Sequence, residues 1–274
     1  NKVRFCIPPK SYAYRHPEPA FHPWPRQGNA FDRTRFDPRF FRNFERRLGD
    51  LKQMGIVAEL ILFHIYDRWG HRALSPEQDE AYLRYTIARL AAFRNVWWTP
   101  ANEYELFRNV NITKDWDHIG RMVQRLDPYD HPRSNHNHTH WYDASKPWVT
   151  YANLQYGRPD DHPPDTLYNL IRKAREQFGK PAVMEEYRYE GDLSDRWGNL
   201  SPEVAVRAHW AIALAGGYAS HGETYRNETD DIFWSAGGEL VGKSPARLAF
   251  LREIMEQSPY TQMAPDPELA PGVY

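Results

Sequence analysis

DPRFFRNFERRLGDLKQMGIVAELILF, residues 37–63, sets a helix directly before a strand. Asp37 stands where an N-cap belongs, Pro38 fits the first helical position, apolar residues follow at helical spacing, and Gly55 supplies the stop. Val57 to Phe63 (VAELILF) is then a continuous apolar run that ends before His64. Upstream, Val3 to Ile7 (VRFCI) is another, halted by Pro8 and Pro9. Both runs read as strands buried on two sides, the kind that parallel sheets use.

The alternation continues along the chain. The pattern predicts a helix from about 76 to 93, a strand over 95–101, a helix over 115–126, a strand near 133–138, and a strand over 149–155. A helix over 164–178, a strand over 181–187, a helix over 201–215, a strand over 218–221 and a last helix over 245–257 follow. Strands alternating with helices over this length argue for an α/β fold with a parallel sheet, most economically a closed (β/α)8 TIM barrel. An open doubly wound sheet is the other candidate. Seven strands are counted, so one βα unit of an eight-stranded barrel is either hidden from the pattern or precedes Asn1. The expected organisation is a catalytic barrel over 1–258 and a C-terminal tail or linker over 259–274, the latter from PDPELAPG near the end.

Composition narrows the function classes. The chain has 274 residues, 41% hydrophobic and 26% charged, enough for one large core. Its 35 basic and 36 acidic residues nearly cancel, so no basic field is available for nucleic acid. Cys6 is the single cysteine, which excludes an internal disulfide and any cysteine-built metal site. No apolar run suits a membrane span and no signal-peptide pattern stands at the N-terminus. The expectation is a soluble protein, either cytoplasmic or secreted as part of a longer one, of open oligomeric state. Ten tryptophans and seventeen tyrosines are more than core packing asks for, and aromatic faces suit sugar rings.

In a barrel, function collects at the C-terminal ends of the strands. The polar clusters fall there: Lys10 and Tyr12; HIYDRWG with His64, Asp67, Arg68 and Trp69; Asn102 and Glu103 closing NVWWTPANEYELF; NHNHTHWYD; Gln155 and Tyr156; EEYRYEGD; and HGETY. A lone Asn-Glu is most often a turn or helix cap. A second carboxylate motif at a strand end, KPAVMEEYRYEG over 180–191, changes the weighing. Two carboxylates from different strands are what glycosidic cleavage needs, one to protonate the departing oxygen and one to attack the anomeric carbon or activate water.

The run VWWTPANEYELF resembles the acid/base strand of clan A glycoside hydrolases, and KPAVMEEYRYEGD is similar to their nucleophile-bearing strand. HIYDRWG, ARLAAFRNVWWTPANEYEL, KPAVMEEYRYEG, GGYASHGETY and GGELVGKSPARLAFLREI together resemble bacterial glycoside hydrolases with an apiosidase-like barrel. The resemblance implies a retaining hydrolase of O-glycosidic bonds acting on a glycoside, oligosaccharide or polysaccharide, without cofactor or metal. It implies that Glu103 is the acid/base, Glu186 the nucleophile, and Asn102 the partner of the hydroxyl beside the anomeric carbon. It also implies one βα unit before Asn1, which places Glu103 on barrel strand four and Glu186 on strand seven.

Neighbouring strand residues point to opposite faces, so Glu185 is expected to face the helical shell or a salt bridge when Glu186 faces the pocket. Glu103 has to be protonated near neutral pH, which desolvation or a nearby anionic nucleophile promotes. A retaining pair is expected about 5 to 5.5 Å apart. His64, Asp67, Arg68, His136, Gln155, His221 and Glu223 are candidate sugar contacts; Trp69, Trp98, Trp141, Tyr156, Tyr189 and Trp234 are candidate stacking platforms. His136, His138 and His140 alternate and would share one face of an extended strand, as in a metal-dependent barrel hydrolase, which is one alternative. A non-catalytic carbohydrate-binding barrel is the other.

Overall fold

The computed structural model describes residues 1–11, 18–157, 164–226, 228 and 239–266. Tyr12 and Trp234 lie outside the described residues. The chain divides into two compact units, one of residues 1–142 with 146–150, the other of residues 143–145 with 151–274.

In the first unit, strand β1 (Lys2–Cys6) leads through a short antiparallel hairpin, β2 (Arg26–Gln27) and β3 (Ala30–Phe31), to helix α1 (Pro38–Gln53). Strand β4 (Val57–Phe63), helix α2 (Pro76–Leu90), strand β5 (Val96–Ala101), the short helix α3 (Leu106–Asn109) and helix α4 (Trp116–Leu126) follow. β1, β4 and β5 form one parallel sheet in the order β1-β4-β5. The hairpin was not expected from the pattern, because two-residue strands carry no periodicity.

The capping chemistry appears where the sequence puts it. The Asp37 side chain accepts the Arg39 amide at 2.9 Å, and Ser75 with Gln78 forms a capping box on α2. Gly55, at φ 70°, ends α1 in the left-handed turn that only glycine enters cheaply. β4 is buried on both faces: Ala58, Leu60 and Leu62 join the core with Phe41, Tyr82, Leu83 and Ile87, while Glu59 on the other face is fully buried too. Glu59 is held by Lys2, lies 3.9 Å from the Arg4 guanidinium, and accepts the Thr99 hydroxyl at 2.6 Å.

The strand expected near 133–138 is reduced to a single parallel bridge, Trp98 with Arg133. The segment still runs beside β5: the Trp98 amide donates to Pro132, the Ser134 amide to Trp98, and the His136 amide to Ala101. Past His136 the chain bends, because the Glu105 carboxylate gathers the amides of His138, Thr139 and His140.

In the second unit, β6 (Ala152–Gln155), α5 (Pro164–Phe178), β7 (Ala182–Glu186), β8 (Glu190–Gly191), α6 (Pro202–Leu214), β9 (Tyr218–Ala219), β10 (Glu223–Thr224) and α7 (Pro245–Gln257) follow in order. β6, β7 and β9 make a parallel sheet in the order β6-β7-β9, and β8 pairs in parallel with β10. The α/β class and parallel pairing match the expectation. A closed ring is not formed among the described residues, where the ladders make sheets of two or three strands and the segments near 133–138 and 218–221 contribute a bridge or a two-residue strand. Beyond α7, Tyr260 packs edge-on against Tyr218 at 5.7 Å and its hydroxyl donates to the Gly217 carbonyl.

Gly120, inside α4, lies flat under the Trp148 ring, whose indole N–H donates to Asp117 at 2.8 Å. Gly to Ala in an exposed helix interior gains about 0.5–1 kcal/mol. Here an added Cβ would fall well inside the contact distance of the Trp148 ring, so overpacking decides the sign. Gly120→Ala should destabilise by about 1–3 kcal/mol, read as a lower urea midpoint at unchanged m. A midpoint above the parent's would refute the packing described.

Candidate active site

β5 ends in a turn that backbone preference alone would not choose. Glu103 has φ 49°, one of three non-glycine residues with positive φ among those described; the others, Asn111 and Asp130, are of types that tolerate it. The left-handed region costs such a residue roughly 1–2 kcal/mol and persists only where surrounding bonds over-determine it. They do here. The Asn102 amide donates to Phe63 of β4 at 3.0 Å, the Tyr104 amide to the His136 carbonyl at 3.0 Å, and the Glu103 amide to His136 Nδ1 at 3.2 Å. Asn135 Oδ1 accepts the Ala101 amide at 2.8 Å.

That turn buries the Glu103 side chain, and two donors meet one of its oxygens. The Tyr66 hydroxyl and the Asn102 side-chain amide, the latter at 2.9 Å, both donate to Oε2, while Arg4 donates to Asn102 Oδ1. Asn102 is thereby oriented from both ends, its oxygen toward a cation and its nitrogen toward the carboxylate.

Two histidines fix the scaffold beneath. His136 is fully buried, and burial, then the charges of Arg4, Lys10 and Lys2, push its imidazole well below the ordinary range. Accepting at Nδ1, it carries its proton on Nε2. His64 is buried and pushed down to about 3, first by burial and then by Lys10, against the opposing Pro8 carbonyl. Its Nε2–H donates to Pro8 at 2.8 Å, and its Nδ1 accepts the Tyr66 amide at 3.1 Å.

These contacts revise several expectations. His64 and His136 are scaffold bases within the fold rather than exposed sugar contacts. Asp67 is buried and takes the amides of Trp69, His71 and Arg72 at 2.8–2.9 Å, so its carboxylate shapes the loop after β4. Trp98 is fully buried in the core with its indole N–H on Asp127 at 3.1 Å, which excludes it as a stacking platform. Arg68 is exposed with its guanidinium 5.3 Å from the Trp69 ring centre; Trp69 and Trp141 are half-buried. The three histidines do not share a strand face, because Glu105 turns the chain after His136 and leaves the His140 side chain 84% exposed. Tyr66 was missed: it stands two residues after His64 in HIYDRWG and carries no signal beyond that placement.

In the second unit, β6 and β7 slip register between Leu154 and Gln155, so that Leu154 faces Met184 while Gln155 faces Glu186. Glu185 is the additional residue, and such a bulge re-aims the side chains beside it. Glu185 is buried and accepts the Ser220 hydroxyl at 2.8 Å, whereas Glu186 is half-buried at the strand end, its carbonyl accepting the Tyr156 amide. Simple alternation, the basis for separating the two acids, does not hold across a bulge. Behind them the Tyr187 hydroxyl meets His209 Nδ1 at 2.7 Å; burial, with His221 adding and the Ala205 carbonyl opposing, holds His209 at about 4.

Tyr189 lies against Gly222, where a side chain would collide with its ring, and meets Trp197 edge-on. His221 Nε2 stands 3.1 Å from Glu223 and 3.8 Å from Glu190. Among the described residues these three are the group whose potential metal-ligand atoms all lie within 4.8 Å of one another. Both carboxylates are engaged by protein: Glu223 takes the Gly242 amide, and Glu190 the Lys243 amide with the Ser244 amide and hydroxyl. Burial works to raise Glu190, but the Ser244, Lys243 and Tyr225 hydrogen bonds hold it below its ordinary value. A groove of about 650 Å³ lined by Glu203, Trp210, Arg247 and Phe250 on α6 and α7 contains none of the predicted site residues. Among the described residues no helix is long and apolar enough to cross a membrane.

Known structures share this architecture. A glycoside hydrolase family 5 protein of Bacteroides vulgatus matches at TM-score 0.67 and 15% identity, over 85% of this chain and 56% of its own. The endo-1,4-β-D-mannanase of Thermotoga petrophila matches at TM-score 0.54 and 15% identity, over 94% and 91%. A further protein of Bacteroides vulgatus, provisionally named a glycoside hydrolase, is 38% identical at TM-score 0.86, over 94% of this chain. The apiosidase-like catalytic-domain family matches residues 11–261, and the chain belongs to that family. It spans 52% of that similar Bacteroides chain, about half. No curated protein matches it.

The neutral buried histidines have a consequence for stability. Unfolded, His64 titrates near 6.5; folded, it stays neutral to about 3. The unfolded chain therefore binds the extra proton in this window, and stability falls as pH drops from 6.5 toward 3. Urea midpoints taken across that range should decline, and more shallowly in a His64→Gln variant. Equal slopes for parent and variant would mean that His64 is not held neutral.

Proposed function

We propose that this chain is the catalytic part of a retaining glycoside hydrolase that cleaves O-glycosidic bonds by double displacement. Residues 1–258 are its catalytic part, of the (β/α)-barrel class. Glu103 acts as acid/base and Glu186 as nucleophile. The observation that carries the reading is the strained, over-determined backbone at Glu103, which presents a buried carboxyl gripped by Tyr66 and Asn102 at the C-terminal end of a parallel strand. Family membership and the half-buried Glu186 closing β7 support it.

In the first step Glu186 attacks the anomeric carbon while Glu103 gives its proton to the departing glycosidic oxygen. In the second, Glu103, now a carboxylate, takes a proton from water, whose oxygen displaces Glu186 and restores the starting anomer. Asn102 Nδ2, already aimed by Arg4, would hold the hydroxyl beside the reacting carbon. Gln155, Tyr156, Tyr189, His221 and Glu223 at the strand ends of the second unit, with Arg68 and Trp69 in the first, are the remaining candidate sugar contacts. Trp234, outside the described residues, stays a sequence-based candidate.

The test is turnover of aryl pyranosides and furanosides of both anomers. Glu103→Ala should lose about 10²–10⁴-fold in kcat on unactivated substrates, and Glu186→Ala should have no measurable turnover. A chelator should leave the parent unchanged. A 2-fluoro glycoside of the accepted sugar should label Glu186 in mass spectra. Inverted product, or a label on Glu185, would overturn the assignment.

A further inference from the structure

Tyr66 belongs to none of the roles above, yet the loop after β4 is built around it. Its backbone amide is pinned to His64 Nδ1, and His64 is pinned through Nε2–H to Pro8 after β1. Its carbonyl accepts the Ser11 amide at 2.7 Å, so the loop after β1 grips the residue again. Lys10 places its ammonium 5.0 Å from the ring centre, a cation–π contact that draws electron density from the ring and sharpens the hydroxyl as a donor. Two buried histidines, held neutral, keep this arrangement from changing with ordinary pH.

The hydroxyl then donates to the same Glu103 oxygen that Asn102 addresses. A carboxylic acid has one carbonyl-type oxygen, a good acceptor, and one hydroxyl oxygen, a poor one. Two donors on Oε2 make it the carbonyl-type oxygen when the acid is protonated, so the proton rides on Oε1. We propose that Tyr66 is a positioning residue for the acid/base: with Asn102 it fixes which oxygen of Glu103 carries the transferable proton and holds that oxygen toward the leaving group. This rests on Glu103 being the acid/base. When the proton has left, the same two donors stabilise the carboxylate that activates water.

The experiment is Tyr66→Phe, which keeps the ring beneath Lys10 and removes only the hydroxyl, measured beside Glu103→Gln on two glycosides of the accepted sugar. A phenyl leaving group needs protonation; a 2,4-dinitrophenyl one does not. Tyr66→Phe should lower kcat/KM on the phenyl glycoside about 10- to 100-fold and change kcat/KM on the dinitrophenyl glycoside, which reports formation of the glycosyl-enzyme alone, within about threefold. Tyr66→Leu should show the same leaving-group dependence, and thermal melting should show both variants folded. Equal losses on the two substrates would make Tyr66 merely structural, and parent rates on both would deny it any role. Both overturn the inference while Glu103→Gln still shows its own leaving-group signature. Absence of that signature in Glu103→Gln would instead bring down the acid/base reading and the inference with it.

Discussion

The left-handed turn at Glu103 is the constraint on which the first unit depends. A glutamate there is unfavourable by about 1–2 kcal/mol, more than a typical single hydrogen bond returns. Several bonds act together to hold it, since Phe63 from β4 accepts the Asn102 amide, His136 from the bridged segment accepts the amides of Glu103 and Tyr104, and Ala101 of β5 accepts the His136 amide in return. The turn therefore requires three chain segments to be in register at once. Parallel strands aligned at their C-terminal ends provide that condition.

Register in turn is secured by polar groups buried under the turn. Glu59 sits fully buried on β4 with Lys2, Arg4 and Thr99 around it. Removing one partner from such a cluster costs several kcal/mol, because the remaining charge has no water to return to. Arg4 has a second attachment, to Asn102, so the cation that balances the sheet interior also aims the amide beside Glu103. Burial, with the positive charges of Arg4, Lys10 and Lys2 adding to it, denies His136 a second proton, and an uncharged imidazole is the acceptor that the Glu103 amide needs. Structure and site are here the same electrostatic arrangement.

The second unit solves a different problem. Two adjacent acids close β7, and the register slip between Leu154 and Gln155 lets them be treated unequally: Glu185 withdraws to Ser220, and Glu186 stays at the half-buried strand end. Glu190 and Glu223 then serve as anion anchors for the amides of residues 242–244, fastening the start of α7 to the strand ends. A Cβ at Gly242 would lie 2.5 Å from Glu223 Oε1, so a larger residue there would push that carboxylate aside.

Much of this was readable from residue order alone. Caps and stops at Asp37, Ser75 and Gly55, the continuous apolar β4, and the acids closing β5 and β7 follow from local physics, because capping, helical period and two-sided burial are short-range patterns. What could not be read is what depends on partners distant in sequence. Trp98 was a plausible platform until Asp127 claimed its indole, and His64 a sugar contact until Pro8 and Tyr66 did. The three alternating histidines lost their common face to Glu105, thirty-odd residues upstream. The bulge that separates Glu185 from Glu186 is set by pairing with β6, and Tyr66 gains its meaning from a carboxylate 37 positions away. Sequence determined the elements and the chemistry at their ends; tertiary structure decided which side chain meets which, because hydrogen-bond geometry and burial are properties of neighbours in space.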